Sequence, residues 1–319
     1  MRISVALATY EGEAWLPRQL SSLAEQSRRP DELIAFDDAS SDATVKILRK
    51  FAARAPFPVR VQLQSARVGA AGNFQSAIAA ADGDVISLCD QDDVWHPDKL
   101  QRIEAAFAAN PSLDMVFSDA DIVDEYLRPL GYSLWQSIGF GRGEQSFARD
   151  HGLLQVLARF NVVTGAGLAF LSRRRGLILP IPQGWIHDAW IAIILSGVGR
   201  YRWMNEPLFA YRQHSRQEIG AGPRVLSRQI EIARRMDGAY FDRLVRNFTA
   251  CKERVASSTV ASSQALQLIQ RKIDHCIARR DMRLARSGKA PRLLRELFTG
   301  RYFSSSLGMR SVLQDLLLT

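Results

Sequence analysis

The chain has 319 residues, of which 47% are hydrophobic and 24% are charged, a composition typical of a soluble globular protein. No window reaches the roughly 18 consecutive apolar residues of a membrane-spanning helix, and the apolar stretch after Met1 is too short for a signal peptide, so we expect a cytoplasmic protein. Three scattered cysteines without metal-ligand spacing (Cys89, Cys251 and Cys276) are expected to be reduced thiols.

The net charge of +9 is unevenly distributed along the chain. Residues 224–319 contain 19 Lys and Arg against 8 Asp and Glu, a balance of +11, which leaves 23 basic and 25 acidic residues in 1–223. We therefore expect a folded domain over 1–223 and a basic helical region over 224–319. That region has amphipathic spacing and no recognisable nucleic-acid motif, which favours peripheral contact with the inner face of a membrane. A solvated face or a contact with another subunit remains the alternative.

Short apolar runs alternate with helical patterns at the start of the chain. Helices are expected from about Ala14 to Gln26, from Ser41 or Asp42 to Ala53, and from Asn73 to Ala81. This alternation is typical of an α/β fold with a mostly parallel sheet covered by helices. The strands predicted between these helices are Ile3–Ala8, Glu32–Phe36, Val59–Gln64 and Val85–Cys89.

The pattern continues with less regularity. A long loop is expected over 125–150, and the small, apolar segment Asn161–Gly167 is suited to close backbone approach to a ligand. Beyond Pro223 we expect two amphipathic helices followed by two short ones. The other predicted elements are a helix ending at Ala109, a strand over Asp114–Ser118, a helix over Gly152–Phe160, an apolar helix reaching Leu195, and short strands over Tyr201–Trp203 and Leu208–Tyr211.

Polar clusters follow three of the predicted strands: Thr9-Tyr10-Glu11, Asp37-Asp38, and Asp90-Gln91-Asp92-Asp93. Ligands of open α/β sheets bind beyond the carboxyl ends of the strands, so these clusters outline one cleft. Hard carboxylate ligands there suit Mg²⁺ or Mn²⁺, which can carry substrate phosphates. The alternative is that these acids only cap helices. Neither a G-x-G-x-x-G nor a G-x-x-x-x-G-K-[ST] motif is present, so the usual dinucleotide and P-loop sites are excluded.

A set of motifs over residues 1–215 extends these strand-end clusters: Ala8-Thr9-Tyr10-Glu11, Asp37-Asp38-Ala39-Ser40, Arg67-Val68-Gly69 with Asn73, Asp82-Gly83-Asp84, Asp90-Gln91-Asp92-Asp93, Pro97-Asp98-Lys99-Leu100, His187-Asp188 and Tyr211-Arg212-Gln213-His214. Their order and placement resemble the family 2 inverting glycosyltransferases, and the Asp-Gln-Asp-Asp and Tyr-Arg-Gln-His forms resemble the rhamnosyltransferase-like members. The resemblance implies the GT-A nucleotide-diphospho-sugar transferase fold, with a mixed, mostly parallel sheet, followed here by the C-terminal helical extension.

The resemblance also implies roles for particular residues. Asp92 would bind the metal directly, with His214 near the metal or diphosphate, and Asp188 would be the catalytic base. His187 stands where the family often has an acidic residue, which leaves the local electrostatics open. The residues expected to hold the nucleotide part of the donor are Thr9, Tyr10, Glu11, Asp38, Arg67, Asn73, Asp90 and Gln91.

The implied reaction is metal-dependent, inverting transfer of a sugar, with Mg²⁺ or Mn²⁺ as cofactor. The donor would be dTDP-rhamnose or a UDP-sugar and the acceptor a glycan or a lipid-linked molecule in cell-surface polysaccharide synthesis. One alternative is a basic membrane- or polyanion-binding protein whose cleft is not catalytic. Another is an inactive nucleotide-sugar binder, against which the presence of both Asp92 and Asp188 argues. No nucleic-acid partner is expected.

Overall fold

The computed structural model describes residues 1–215, 236–285 and 289–317. Nine strands in these ranges form one mixed sheet. The strands are β1 (Ile3–Thr9), β2 (Glu32–Asp37), β3 (Val59–Leu63), β4 (Val85–Cys89), β5 (Val94–Trp95), β6 (Met115–Val123), β7 (Pro129–Ser133), β8 (Leu168–Leu171) and β9 (Tyr201–Arg212).

The strand order is β3-β2-β1-β4-β8-β6-β9-β5, with β7 paired to β6. Strands β1 to β4 pair in parallel, and β8 enters antiparallel between β4 and β6. The carboxyl ends of β1, β2 and β4 are therefore adjacent. The predicted α/β class is confirmed, and the strand-end clusters meet at one edge of the sheet, as parallel pairing requires.

Helices cover both faces of this sheet. Alternate residues of each strand point to opposite faces, so that Val5 and Leu7 belong to one core cluster and Ala6 to the other. The helices before the C-terminal region are α1 (Leu16–Ala24), α2 (Thr44–Ala52), α3 (Gly69–Ala80), α4 (Lys99–Ala109), α5 (Leu134–Ile138), α6 (Arg142–His151), α7 (Leu153–Leu157), α8 (Arg175–Ile178) and α9 (His187–Val198).

Two sequence expectations about these elements were wrong. The segment 125–150 is not a long loop, because it contains β7, α5 and most of α6. Its aromatic residues Trp135 and Phe140 are buried against Phe117, so tertiary packing rather than local period fixes these short elements. The two short strands predicted over 201–211 are a single strand, β9, which follows β6 through two irregularities in the pairing register.

The described part of the C-terminal region is helical: α10 (Gly238–Ala256), α11 (Ser263–Leu284), α12 (Lys289–Phe298), α13 (Arg301–Ser305) and α14 (Met309–Leu317). Apolar residues of α10 and α11, such as Phe248 and Ile269, extend the same core cluster as α9. Three residues of the predicted first amphipathic helix, Leu226, Ile230 and Ala233, lie outside the described residues. None of the described helices has the length and apolarity needed to span a bilayer.

Candidate functional site

A cleft of about 1030 Å³ lies at the carboxyl ends of β1, β2 and β4. All eleven candidate residues named from the sequence line this cleft. They come from the ends of β1, β2, β4 and β9, from the start of α3 with the segment before it, and from the start of α9. The sheet topology thus brings residues as far apart in the chain as Thr9 and His214 to one surface. The eleven are Thr9, Tyr10, Glu11, Asp38, Arg67, Asn73, Asp90, Gln91, Asp92, Asp188 and His214.

Several candidate side chains hold the strand ends in place. The Thr9 hydroxyl donates to the carboxylate of Asp37 at 2.8 Å, and Nδ2 of Asn73 donates to the main-chain oxygen of Phe36 at 2.8 Å. The Gln91 amide brackets the Tyr10 backbone, accepting from its N–H at 2.9 Å and donating to its oxygen at 2.8 Å. These bonds define one wall of the cleft. Contact between the same residues and a nucleotide stays a prediction.

Asp38 and Glu11 also bind backbone groups. The two carboxylate oxygens of Asp38 accept from the N–H groups of Val68 and Gly69 at 2.7 and 2.9 Å, at the start of α3. Asp38 thus binds N–H groups at the start of a helix, as expected from the alternative in which these acids only cap helices. The Glu11 carboxylate accepts from the Ser41 N–H at 2.7 Å. Both acids therefore fix the loops that border the cleft.

Tyr10 and Arg67 form the part of this wall with the most accessible chemistry. The Arg67 guanidinium lies 4.1 Å from the centre of the Tyr10 ring, within the range of a cation–π contact. Arg67 is exposed and Tyr10 is half-buried, and both line the cleft. An aromatic face beside a guanidinium can stack on a base and contact a phosphate.

Asp92 and His214 lie side by side in the cleft. Nε2 of His214 lies 2.9 Å from Oδ2 of Asp92, and the imidazole stacks on the Trp15 ring with the centroids 4.8 Å apart. The Asp92 side chain keeps 19% of its surface exposed and the His214 side chain 5%. The main-chain oxygen of Asp92 accepts from Arg212, which fixes the backbone beneath the carboxylate.

This pair fits a divalent cation that is shared with a substrate. Within residues 1–215, 236–285 and 289–317, no cluster of three or more His, Cys, Asp or Glu side chains is placed to hold a metal ion. Mg²⁺ is usually bound by one or two protein carboxylates plus substrate phosphates rather than by a complete protein cage. An accessible carboxylate oxygen beside an imidazole nitrogen is a suitable partial donor set for Mg²⁺ or Mn²⁺.

A short helical turn, Gly165–Gly167, connects the two other carboxylates of the cleft. The N–H of Gly165 donates to Asp188 at 3.0 Å, and the next N–H, that of Ala166, donates to Asp90 at 3.2 Å. Asn161 also donates to Asp188, at 3.4 Å. Asp188 lies in the first turn of α9 and also accepts from the N–H of Ala189 in that helix, which has no side-chain cap at Ile186.

The environment favours the protonated form of both carboxyls. Burial raises the pKa of Asp188 to about 6, with the hydrogen bonds from Ala189 and Gly165 opposing the shift. Burial, followed by the charges of Asp92 and Asp188, raises the pKa of Asp90 to about 7. A carboxyl with a pKa near 6 is ionised at neutral pH and more basic than an exposed one, which is what a general base needs.

His187 resolves the electrostatic question left open by the sequence. The imidazole is buried, stacks on Phe74 with the centroids 3.9 Å apart, and has no hydrogen-bond partner within the described residues at either ring nitrogen. Burial lowers the pKa of His187 to about 3, so the ring is neutral. The residue that precedes Asp188 in the sequence is thus uncharged, whereas the family often has a second carboxylate there.

The sequence marks Lys99 only as part of the Pro97-Asp98-Lys99-Leu100 motif and does not indicate its position beside the site. The side chain is fully buried between the rings of Trp95 and Phe209. Its Nζ donates to the main-chain oxygen of Ala166, in the turn that holds Asp90 and Asp188. Burial lowers the pKa of Lys99 to about 7.

Asp119 and Asp121 are the other acids near the sheet edge. Asp119 is buried and accepts from the N–H groups of Ala120 and Trp135 at 2.8 and 2.9 Å. The Asp121 side chain is 50% exposed and lies 3.4 Å from His96. Neither lines the cleft, so Asp188 is the better-placed base.

Residues 4–161 match the family described as Glycosyl transferase family 2. The chain contains a glycosyl transferase family 2 domain. An uncharacterised glycosyltransferase of Nostoc sp. is 28% identical over 225 residues, which are 67% of this chain and 65% of that protein. The dTDP-rhamnosyl transferase RfbG of Shigella flexneri is 25% identical over 232 residues, 67% of this chain and 74% of that one. The chain spans less than two thirds of the Nostoc protein.

Solved structures confirm the GT-A fold predicted for this chain. S. aureus TarS in complex with UDP-GlcNAc superposes with a TM-score of 0.58 at 14% identity, covering 86% of this chain and 72% of that one. The mannosyltransferase PcManGT from Pyrobaculum calidifontis, in complex with GDP-Man and Mn²⁺, gives a TM-score of 0.53 at 17% identity, covering 99% and 86%. The fold predicted from the sequence is therefore correct.

Proposed function

We propose that this protein is a metal-dependent, inverting glycosyltransferase that moves a sugar from a nucleoside-diphosphate donor to a hydroxyl acceptor. The observation that carries the proposal is the meeting of Asp92, His214 and Asp188 in one cleft that is wide enough for a nucleotide sugar. The family 2 domain and the GT-A fold support it. The TarS structure contains UDP-GlcNAc and the PcManGT structure contains GDP-Man and Mn²⁺, and the use of a nucleotide sugar and a divalent cation here is part of the proposal.

The nucleotide would bind along the wall formed by the ends of β1 and β2. Tyr10 and Arg67 offer a ring face and a positive charge, and Asp38 and Glu11 fix the bordering loops. Thr9, Asn73 and Gln91 shape the same wall through their main-chain contacts. Tyr10 and Arg67 would therefore make the main contact with the donor, and the other residues would keep the wall rigid.

Asp92 and His214 would hold the cation together with the diphosphate of the donor. When bound, Mg²⁺ or Mn²⁺ neutralises the charge that develops on the departing nucleoside diphosphate. Arg212 holds the backbone of Asp92 through its main-chain oxygen, and His214 contacts the Asp92 carboxylate itself, so the carboxylate is preorganised for this contact.

Asp188 would act as the general base. The acceptor oxygen forms a bond to the anomeric carbon while the bond from that carbon to the diphosphate breaks. The acceptor proton passes to the carboxylate of Asp188, which lines the cleft and is held by the hydrogen bonds from Gly165 and Asn161. A single displacement of this kind inverts the configuration at the anomeric carbon.

The donor we propose is dTDP-L-rhamnose. This assignment has its support in the Tyr211-Arg212-Gln213-His214 sequence and in the similarity to the dTDP-rhamnosyl transferase of Shigella flexneri. A competition titration against a fluorescent nucleotide checks it, with dTDP expected to bind more tightly than UDP. Tighter binding of UDP would point to a UDP-sugar instead.

The acceptor we propose is a glycan or a lipid-linked molecule of cell-surface polysaccharide synthesis, reached from the cytoplasmic face of a membrane. The basic balance of residues 224–319 supports this location. The competing function is a basic polyanion- or membrane-binding protein whose cleft is not catalytic, which the same charge would also permit.

A thermal-shift experiment separates the two functions. We expect dTDP or UDP to raise the melting temperature only when Mn²⁺ or Mg²⁺ is present, because ligand binding to the native state stabilises it by mass action. A rise with nucleotide that is insensitive to EDTA would remove the metal from the proposal. No rise with any nucleotide, together with strong binding to a polyanion such as heparin, would favour the competing function.

A further inference from the structure

Exposed apolar side chains are concentrated on the three short helices α12 to α14. Among the described residues, 14 large apolar side chains are exposed, and six of them lie in these helices. Phe298 is the most exposed of the six, at 89%. We call the six together the outer face of α12–α14: Leu294, Phe298, Phe303, Met309, Leu313 and Leu316.

This outer face is a second apolar surface on helices that already have a packed one. Leu293, Tyr302 and Val312 are buried with Met282 of α11 in a separate small core. Leu294 and Phe298 are exposed one helical turn apart on α12, and Met309, Leu313 and Leu316 repeat at helical spacing on α14. Exposed apolar patches of this kind mark sites of interaction with a partner or a membrane.

The exposed charges on the described side chains of α12 to α14 themselves are of one sign. The acidic residues in the sequence of α12 to α14 are Glu296 and Asp315, and both are buried. Glu296 accepts from Arg301 at 2.8 Å, and Asp315 accepts from Arg279 at 2.7 Å. On α12 the side chain of Arg295 is exposed between Leu294 and Phe298. The described surface of these helices therefore combines apolar groups with positive charge and has no exposed carboxylate.

We infer that the outer face of α12–α14 binds an anionic lipid bilayer, with Leu294 and Phe298 entering the boundary between headgroups and acyl chains. Short helices with apolar residues on one side and arginine beside them lie in this interface. A second copy of the chain would oppose positive charge to positive charge, whereas anionic headgroups complement it. The inference deepens the proposed function, since it places the cleft beside a membrane where a lipid-linked acceptor would be found.

Vesicle sedimentation with the full chain tests this surface. Vesicles of phosphatidylcholine alone are compared with vesicles that also contain phosphatidylglycerol, and we expect binding only to the anionic ones. Binding should weaken steeply with added salt, because the screening length falls from about 10 Å at 0.1 M to about 3 Å at 1 M. Phe298→Ser and Arg295→Glu should each reduce the partition coefficient by roughly tenfold.

Two matched variants control for exposure and net charge. Tyr126→Ser removes an aromatic ring that is 71% exposed on the other part of the chain, and Arg54→Glu makes the same charge change at an exposed position there. Both should bind vesicles like the unmodified chain. Circular dichroism spectra and melting temperatures should be measured to check that all four variants are folded.

Equal binding to neutral and anionic vesicles, or no binding to either, would overturn the inference. So would a concentration-dependent dimer, seen by light scattering, that Phe298→Ser dissociates while vesicle binding is absent, since the outer face would then meet a second copy. Because no nucleotide or metal enters these assays, a failure here is independent of a failure of the proposed function.

Discussion

The imidazole of His214 lies 2.9 Å from the carboxylate of Asp92, although the two residues are 122 positions apart. Strand β9 ends at Arg212, whose side chain donates to the main-chain oxygen of Asp92 at 2.7 Å and so ties the two segments together. Trp15 packs against the His214 ring from α1's side of the cleft. The fold therefore holds this pair in place, and we propose that a cation binds there.

Asp92→Asn should abolish metal-dependent activity. An amide is a poorer cation ligand than a carboxylate, and loss of several kcal/mol of charge stabilisation lowers kcat by at least about 100-fold. The variant should melt near the unmodified protein, and its nucleotide binding should lose the dependence on Mn²⁺ in isothermal titration. Asp121→Asn, at a side chain that is 50% exposed and outside the cleft, is the control and should keep full activity.

The pH dependence of kcat should show an acid limb near pH 6. Burial raises the pKa of Asp188 from 3.8 to about 6, and the base acts as the anion, so activity rises as pH increases through about 6. At pH 5 only about a tenth of Asp188 would be ionised. Initial rates between pH 5 and 8, with nucleotide binding measured over the same range, check this. A flat profile would contradict the assignment.

Asp188→Asn should separate catalysis from stability. The loss of a general base costs about 10² to 10⁴ in rate. Because the pKa of Asp188 is raised in the folded state, ionisation of its carboxylate lowers the free energy of unfolding. This loss is absent at low pH and grows as the pH rises from about 4 to 6. The neutral amide should therefore melt no lower than aspartate at pH 7. A variant that keeps most of its kcat would assign the proton to another acid.

Gly165→Ala should impair catalysis because of where the added methyl group would lie. A Cβ at residue 165 would be 2.6 Å from Nε2 of His187 and 3.3 Å from the Asp90 carboxylate, so the turn or the buried His187 ring must shift and the hydrogen bond to Asp188 is disturbed. We expect kcat to fall by about tenfold or more, in line with the loss of a charge-assisted hydrogen bond. Gly176→Ala is the matched control, since a methyl group there meets nothing within 4 Å.

Lys99→Met should lower kcat with little effect on nucleotide binding. The Lys99 side chain donates to the main-chain oxygen of Ala166 and so positions the turn whose N–H groups bind Asp90 and Asp188. Lys99 itself does not line the cleft. Loss of this bond should cost about tenfold in kcat. Lys99→Arg, which keeps a donor, should recover part of the rate. A parallel loss of kcat, nucleotide affinity and melting temperature would show a merely structural role.

The strand-end clusters could be predicted because parallel strands end at one sheet edge, so that Asp38 and Asp92 had to approach each other. The turn that binds Asp188 could be foreseen only in part: the small residues from 161 to 167 indicated close backbone approach, but not which carboxylate would accept. The bond from Lys99 to Ala166 spans 67 positions and has no local signal.

The expectation of a long loop over 125–150 was wrong for a physical reason, although the sequence there contains a local signal for a helix. Helix α5 has only five residues, too short to be stable without packing, and the contacts that stabilise it come from Phe117 on β6. Ser133 and Gln136 nevertheless form a capping box, which is a local signal for a helix start. That spacing could have placed the helix from the sequence.

The most direct test of metal-dependent glycosyl transfer is the release of nucleoside diphosphate from a panel of nucleotide sugars, dTDP-L-rhamnose included, with Mn²⁺ or with EDTA. We expect release from at least one donor with Mn²⁺, loss of that release in EDTA, and no release by Asp92→Asn, whereas Asp121→Asn should release normally. Release that continues unchanged in EDTA and in Asp92→Asn would contradict metal-dependent transfer at Asp92.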